Sequence, residues 1–439
     1  MSRKLSIIIF ILFLVLGGVF GYLYFTSKSS PNSQLPTPSS STSGFPTSGT
    51  VAGSVGAGNT STSSNSQLLT PNSNFGGTSN NQTLGAVRQV VNVPVAGATA
   101  FTDSRGAVVV RYVERETGHV QDQPITEKVS SRVTDTTIPK IFNAIFGKDG
   151  KFLVFQSLSG KFNQLNTAFA DIKKALPATS TQAADTALLG EQNLSTVVGN
   201  LDGTLLPATV HRAVASPDKL SYLYFNESSD GALAVIVPGD KSKLAKSLTT
   251  VFSSKLTEWA PDWPTTNTVT FTTRPASNLP GYMYSVNVSN KQKTLLLKNV
   301  LGLTASMSPD GSTVLYTESS GTGFISRLYD VKLGTITNFP LRTYPEKCLW
   351  SKKTTSVVYC AAPAYFSSGT YPDDWYIGAT SFSDALWRVN VKTGETTQIV
   401  PVADNRANAQ DMIKLFTDEK ELNLFWVNKS DTTVWTVPL

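Results

Sequence analysis

Histidines, cysteines and clustered carboxylates are the side chains that most often carry catalysis or hold metal, and this chain of 439 residues uses them sparingly. It has two histidines, His119 and His211, and two cysteines, Cys348 and Cys360. Neither histidine has a His, Cys or acidic cluster beside it at ligand spacing, which argues against a zinc site or a histidine-based triad. No GxGxxG or phosphate loop occurs, and Ser159-Gly160 and Gly321-Thr322-Gly323 read as flexible turns. No cofactor, metal ligand set or catalytic residue is expected. Potential recognition chemistry concentrates in Ala362 to Asp384, APAYFSSGTYPDDWYIGATSFSD, where Tyr365, Phe366, Tyr371, Trp375, Tyr376 and Phe382 flank Asp373 and Asp374. Rigid aromatics beside polar groups are common recognition elements. Tyr371, Asp373, Asp374, Trp375, Tyr376 and Phe382 are therefore the expected binding residues, joined by Pro401 to Gln410. The competing reading packs the aromatics onto the domain beneath them. Two adjacent acids without further ligands do not make a calcium site.

Cys348 and Cys360 sit on opposite arms of one hairpin, CLWSKKTTSVVYC. With the turn centred near Thr354 they face each other on one side of the sheet. Outside the cytoplasm a disulfide is permitted there, and closing so short a loop adds about 2 to 3 kcal/mol. The alternative is a pair of buried thiols.

The elements that must position these residues are hairpins of one recurring kind. In Ser306 to Ser319, SMSPDGSTVLYTES, two alternating segments flank Ser308-Pro309-Asp310-Gly311. Pro309 presets φ, Asp310 can bond its own backbone, and Gly311 accepts the positive φ that a short turn demands. Degraded copies lie at Ala98 to Val113, Asn143 to Ser157, Arg212 to Asn226 (through Ser216-Pro217-Asp218), Glu258 to Thr273 (through Ala260-Pro261-Asp262), Cys348 to Cys360 and Lys414 to Asn428. That makes seven copies. In the sixth, Lys352 stands where the others have aspartate. Most are followed by two further strands, and four strands per 40 to 50 residues, roughly, is the size of a propeller blade. The spacings from Asp149 to Asp218 and from Lys352 to Asp418 are longer and read as insertions. In the first of these, Leu165, Phe169, Ile172 and Leu176 have helical spacing and predict a short helix.

After the seventh hairpin only one strand remains, Thr432 to Leu439, while one spare strand, Arg88 to Val93, precedes the first. If the spare strand completes the last sheet, both termini seal the ring. The expected fold is therefore all-β, a seven-bladed β-propeller over residues 86–439 closed by an N-terminal strand. Two β-sandwiches divided near residue 200 are the alternative.

Leu5 to Phe25 contains no charge, and at about 1.5 Å per residue it spans about 30 Å, the thickness of a bilayer core. Arg3 and Lys4 precede it, so the N-terminus should stay in the cytoplasm and the propeller outside, in the cell envelope. The run ends in interfacial aromatics, Tyr22 to Phe25, which suit an uncleaved signal anchor over residues 1–28. A cleaved signal peptide would have a shorter core and a small-residue exit site. Residues 29–85 carry no charged residue and are dominated by Ser, Thr, Gly, Asn and Pro, too polar to bury a core. They read as a disordered linker with a reach of about 40 to 45 Å. Three of the 37 basic residues, Arg3, Lys4 and Lys28, flank the apolar run, and the rest nearly balance the 31 acidic ones. That balance argues against a nucleic-acid partner.

SMSPDGSTVLYTES, VASPDKLSYLYFN and WAPDWPTTNTVTFTT resemble repeats of the TolB-like, WD-like β-propeller superfamily of bacterial envelope proteins. With VPVAGATAF, RYVERETGHV, PEKCLW and TYPDDWY, the whole pattern is also similar to uncharacterised membrane-anchored bacterial propellers. The resemblance covers nearly the whole globular part and implies the fold, but no established activity. The expected function is a membrane-anchored scaffold that binds a protein or an envelope polymer. The alternative is a hydrolase or lyase at the mouth of the channel, with Asp373 or Asp374 as its carboxylates. Converging carboxylates at that mouth would favour the enzyme.

Overall fold

The turn chemistry read from the repeat is what folds several of the hairpins. In a computed structural model describing residues 87–159, 164–173, 199–243, 248–403 and 409–439, Asp310 Oδ1 accepts from Ser308 Oγ at 2.6 Å, Ser312 N at 3.0 Å and Ser312 Oγ at 2.7 Å. Ser308 Oγ in turn accepts from Thr313 N at 3.0 Å, and Gly311 takes φ of 71°. Asp218 and Asp418 hold the backbones of their own turns in the same way. Blade six lacks the aspartate, and Glu421 from the blade-seven turn replaces it, accepting from Ser351 Oγ and Lys352 N, each at 2.6 Å.

These hairpins build seven four-stranded antiparallel sheets. Blades one to six occupy 95–132, 141–205, 210–254, 259–301, 304–338 and 348–400, each in chain order with its first strand innermost. Blade seven takes Met412–Thr417, Asn423–Asn428 and Val434–Pro438, and its outer strand is Arg88–Val91. There Arg88 pairs with Thr436, Gln89 with Trp435 and Val91 with Val434. The ring is thus closed as the strand count predicts, and seven separate sheets exclude a pair of sandwiches. The anchor expected over residues 5–25 and the linker expected over 29–85 lie outside the described residues. Among those described, no helix is long and apolar enough to cross a membrane.

The core is seven apolar layers, one between each pair of neighbouring blades. Because a middle strand is covered on both faces, it is buried at consecutive residues and not at alternate ones. Phe152 to Ser157 are all buried, for example. The same effect overturns the predicted helix: Gln164–Lys173 is a strand of blade two, with Thr167 to Ala170 buried in succession. Residues 174–176 of that prediction lie outside the described residues. A second expectation is corrected in blade four. Pro261 and Asp262 are not the bend; they lie inside the strand Trp259–Thr265, which turns only after Thr265. Asp262 Oδ1 accepts from Trp263 N at 2.8 Å, a local bond that absorbs the aspartate into the strand's bulge instead of a turn.

Two outcomes test this account. Deleting residues 87–93 leaves a three-stranded blade seven and uncovers Phe425 and Val427, so it should lower the thermal midpoint sharply and broaden the transition. Burial opposes ionisation of Asp310, but bonds from Ser308, Ser312 and Thr355 outweigh it and bring the carboxyl down to about 2. Its folded value is below its unfolded value of about 3.9, so its contribution is present above pH ~4 and lost as pH falls towards 2. Discounted for exposure this amounts to about 1 kcal/mol, and acid unfolding of Asp310→Asn should be correspondingly flatter over that window.

Candidate binding face

The insertion of blade six leaves the sheet after Val357–Pro363, a strand buried at every residue. It lies on the face carrying the blade-to-blade loops, and it does not hang free. Ser277 N of blade four donates to Asp373 Oδ2 at 2.9 Å, and Ser319 Oγ of blade five donates to the Tyr371 carbonyl at 2.6 Å. Lys429 of blade seven donates to the Trp375 carbonyl and lies 4.3 Å above the indole. Gly302, with φ of 59°, passes so close to Ser319 and Pro372 that a side chain there would collide. At the centre the single helical turn Asp373–Tyr376 begins, and Asp374 Oδ2 accepts from Thr370 N at 2.7 Å just before it.

Beneath the turn is an eighth apolar cluster of Phe324, Tyr344, Tyr371, Trp375 and Phe382. Tyr344 stacks between Phe324 at 4.2 Å and Trp375 at 5.0 Å. Beside it lies Lys347, fully buried, with Nζ 2.7 Å from Asp384 Oδ2 and 2.5 Å from Asp411 Oδ1. Asp411 Oδ2 also accepts from Trp375 Nε1, Ser381 Oγ and Phe382 N, each at 3.1 Å. Burial pushes the Asp384 carboxyl up to about 6, reinforced by the Asp411 charge and only partly offset by Lys347. Burial acts the same way on Asp411, but Lys347 and the other donors hold it below the usual carboxylate range.

Tyr371, Trp375 and Phe382 are therefore buried packing residues, and Asp373 and Asp374 are bonded to backbone. Tyr376 is 43% exposed and gives its hydroxyl to Glu346. Solvent reaches Glu346, yet the surrounding protein is dense enough to push its carboxyl up. The exposed apolar rim is Tyr365 at 88% and Ile377 at 76%, with Leu279 of blade four nearby at 60%. Sequence reasoning missed Lys347, Asp411 and Tyr344. The one signal was a lysine directly before a strand, in PEKCLW, and its partner Asp411 is 64 residues away.

Cys348 and Cys360 are disulfide-bonded, directly opposite each other in the hairpin register. His119 Nε2 meets Thr137 Oγ1 and His211 Nδ1 meets Glu227 Oε2, each at 3.1 Å, both as structural partners. Among the described residues no group of three or more His, Cys, Asp or Glu could hold a metal.

The opposite face carries the repeat turns around a cavity of about 150 Å³. Asp149, Asp218, Asp418, Glu419 and Glu421 do converge there, mixed with Lys148, Lys219 and Lys352. Most are already committed: Asp218, Asp418 and Glu421 to turn backbone, Asp149 to Lys151. Lys352 Nζ reaches the Pro217 carbonyl at 3.1 Å, linking blade six to blade three across the mouth. Burial, together with the Lys352 charge, brings the Lys219 amine down to about 8.

No protein-family profile matches the chain, and no curated protein matches it. Solved structures similar to it include TolB and other β-propeller proteins. TolB from Acinetobacter baumannii aligns at 12% identity and a TM-score of 0.37, over 76% of this chain and 77% of that one. The β-propeller domain of the Trilobed protease from Pyrococcus furiosus aligns at 12% and 0.46, over 77% and 94%. An oligogalacturonate lyase from Vibrio parahaemolyticus aligns at 9% and 0.49, over 82% and 94%. The chain spans about half (52%) of a puromycin-hydrolysing peptidase of Mycobacterium tuberculosis, over 76% of its own length, at 11% and 0.45. The fold is the extent of these likenesses.

Replacing Lys347 by Ala leaves Asp384 and Asp411 dry and without their cation. Removing one partner of a buried pair costs about 3 to 5 kcal/mol, so thermal unfolding of Lys347→Ala should show a loss of that order.

Proposed function

We propose that this chain is a membrane-anchored, extracytoplasmic propeller that binds a protein or an envelope polymer through the face of the blade-six insertion. The observation that carries this reading is the contrast within that insertion. Its interior is pinned to blades four, five and seven, while Tyr365, Tyr376 and Ile377 stand in solvent. A surface ordered before binding loses little entropy on association, which is how a scaffold gains affinity without chemistry. Anchoring through residues 5–25 and a linker over 29–85 supply the membrane address in this reading.

A hydrolase or lyase at the channel mouth is the second reading, favoured by the carboxylates gathered at the cavity. Acid and base work needs two carboxyls whose affinities for the proton are driven apart. At this mouth Asp218 is driven down: burial opposes this, but Ser216 and the Leu220 amide outweigh it. Asp418 and Glu421 are likewise held by turn backbone, and Asp149 by Lys151. Asp262 and Glu346, both raised by burial, lie outside its lining. The binding reading is therefore preferred.

Trp375→Ala would break the packing, so the test uses exposed positions. Crosslinking in native envelopes followed by mass spectrometry should recover a partner or wall fragment on the wild type. Tyr365→Ala with Ile377→Ser, the two most exposed residues of the rim, should lower that yield at least tenfold, at an unchanged thermal midpoint. An unchanged yield would remove this face from the proposal.

A further inference from the structure

Lys347, Asp384 and Asp411 form a closed group that surface binding does not use. All three are buried, with Asp384 and the lysine at 0% side-chain exposure and Asp411 at 1%. Ions removed from water are expensive, and a pair repays that cost only when its remaining lone pairs are also satisfied. Here they are not: Asp384 Oδ1 is buried and, among the described residues, has no hydrogen-bond partner. The rings of Trp375 and Phe382 close the site, each centroid 5.3 Å from Lys347 Nζ. The two carboxyls differ in kind. Asp411 has four donors and rests as an anion, whereas among the described residues Asp384 accepts only from Lys347 Nζ and from Met412 N, the latter at 2.7 Å.

We propose that Lys347 Nζ and Asp384 Cγ join in an intramolecular isopeptide bond, with Asp411 as the base that drives the reaction. Asp411 takes a proton from the Lys347 ammonium across their 2.5 Å contact. The neutral amine then attacks Cγ of Asp384 in its protonated form, which burial makes accessible near neutral pH. Met412 N–H donates to Oδ2, where negative charge develops. The C–N bond forms and the C–Oδ1 bond breaks. Oδ1 leaves as water, carrying the carboxyl's own proton and one passed directly from the attacking nitrogen, which is by then bonded to the same carbon. The proton first taken from the ammonium stays on Asp411, because the Lys347 charge that held this carboxyl low is gone and burial then favours its neutral form; a positive and a negative charge thus vanish together from the core. No other reactant is needed, because holding amine and acid in one dry site substitutes for chemical activation.

The experiment is intact-mass spectrometry of the full folded chain, reduced and denatured just before measurement. The expected mass is lower than that of the sequence by one water, and trypsin should release one branched product joining the peptides of Lys347 and Asp384. Asp384→Asn should lose one ammonia in place of one water, and Asp411→Asn should stay at its sequence mass. A wild-type chain at full sequence mass, from a preparation that unfolds cooperatively, overturns the proposal, as does a branch at any other pair. Loss of water that persists in Asp411→Asn overturns the role of the base. Should the variants fail to fold, the wild-type branched peptide decides alone.

Discussion

A four-stranded sheet with apolar side chains on both faces cannot stand in water by itself; it needs a neighbour on each side. Every blade here is such a sheet. Leu223 and Phe225 of blade three pack against Trp259 and Phe271 of blade four, and Val91 and Phe425 of blade seven pack against Val110 of blade one. Full burial of one large apolar side chain is worth about 1.5 to 3 kcal/mol. An open ring would forfeit a whole layer on two blades at once. The outer strand Arg88–Val91 therefore does more than fill an edge. It fixes the last blade to the first, after which Val95 N donates to the Thr432 carbonyl at 3.0 Å and blade one begins.

What was legible in the sequence follows from locality. Ser308-Pro309-Asp310-Gly311 could be read because each residue acts on its own turn, within five residues of backbone. The facing of Cys348 and Cys360 could be read because hairpin register follows from the turn centre. The surplus and deficit of strands at the two ends only had to be counted. The misread segments are those where distant packing decides. Gln164–Lys173 spaces Leu165, Phe169 and Ile172 as a helix would, but pairing with Phe152–Ser159 makes it a doubly covered strand. In the insertion, the sequence displayed the aromatic types but not their direction. Tyr371, Trp375 and Phe382 turn inward because Phe324 and Tyr344, from a different blade and a connecting loop, offer them rings to stack on. Lys347 was illegible for the same reason, since a lysine before a strand reads as solvated until its acidic partners are in place.

The two faces of the ring divide their labour. On one, the turn carboxylates are engaged by their own backbone, by a neighbouring blade's turn or by a lysine, so the acids that give the repeat its signature are structural. The loops of the other face differ from blade to blade and are free to lengthen, as loops on a rigid scaffold are. Blade six uses that freedom most, with a connection from Ala364 to Phe382–Ser383 that touches blades four, five and seven.

Blade six is also the sheet least able to carry such an insertion unaided. Its innermost strand, Cys348–Trp350, has three residues, the shortest of the seven inner strands, and only three register pairs hold it to Val357–Pro363. Its turn lacks the aspartate that braces other copies. Each deficiency is met by a contact from outside the local repeat. Glu421 supplies the missing acceptor from blade seven, the disulfide ties the first register pair, and Lys347, one residue before the strand, fastens its start to Asp384 in the same blade and Asp411 at the edge of the next. Concentrating a covalent link and a buried ionic group on the weakest hairpin keeps the insertion's base fixed while its rim stays exposed. The proposed binding surface rests on that combination: order below, and open apolar side chains above.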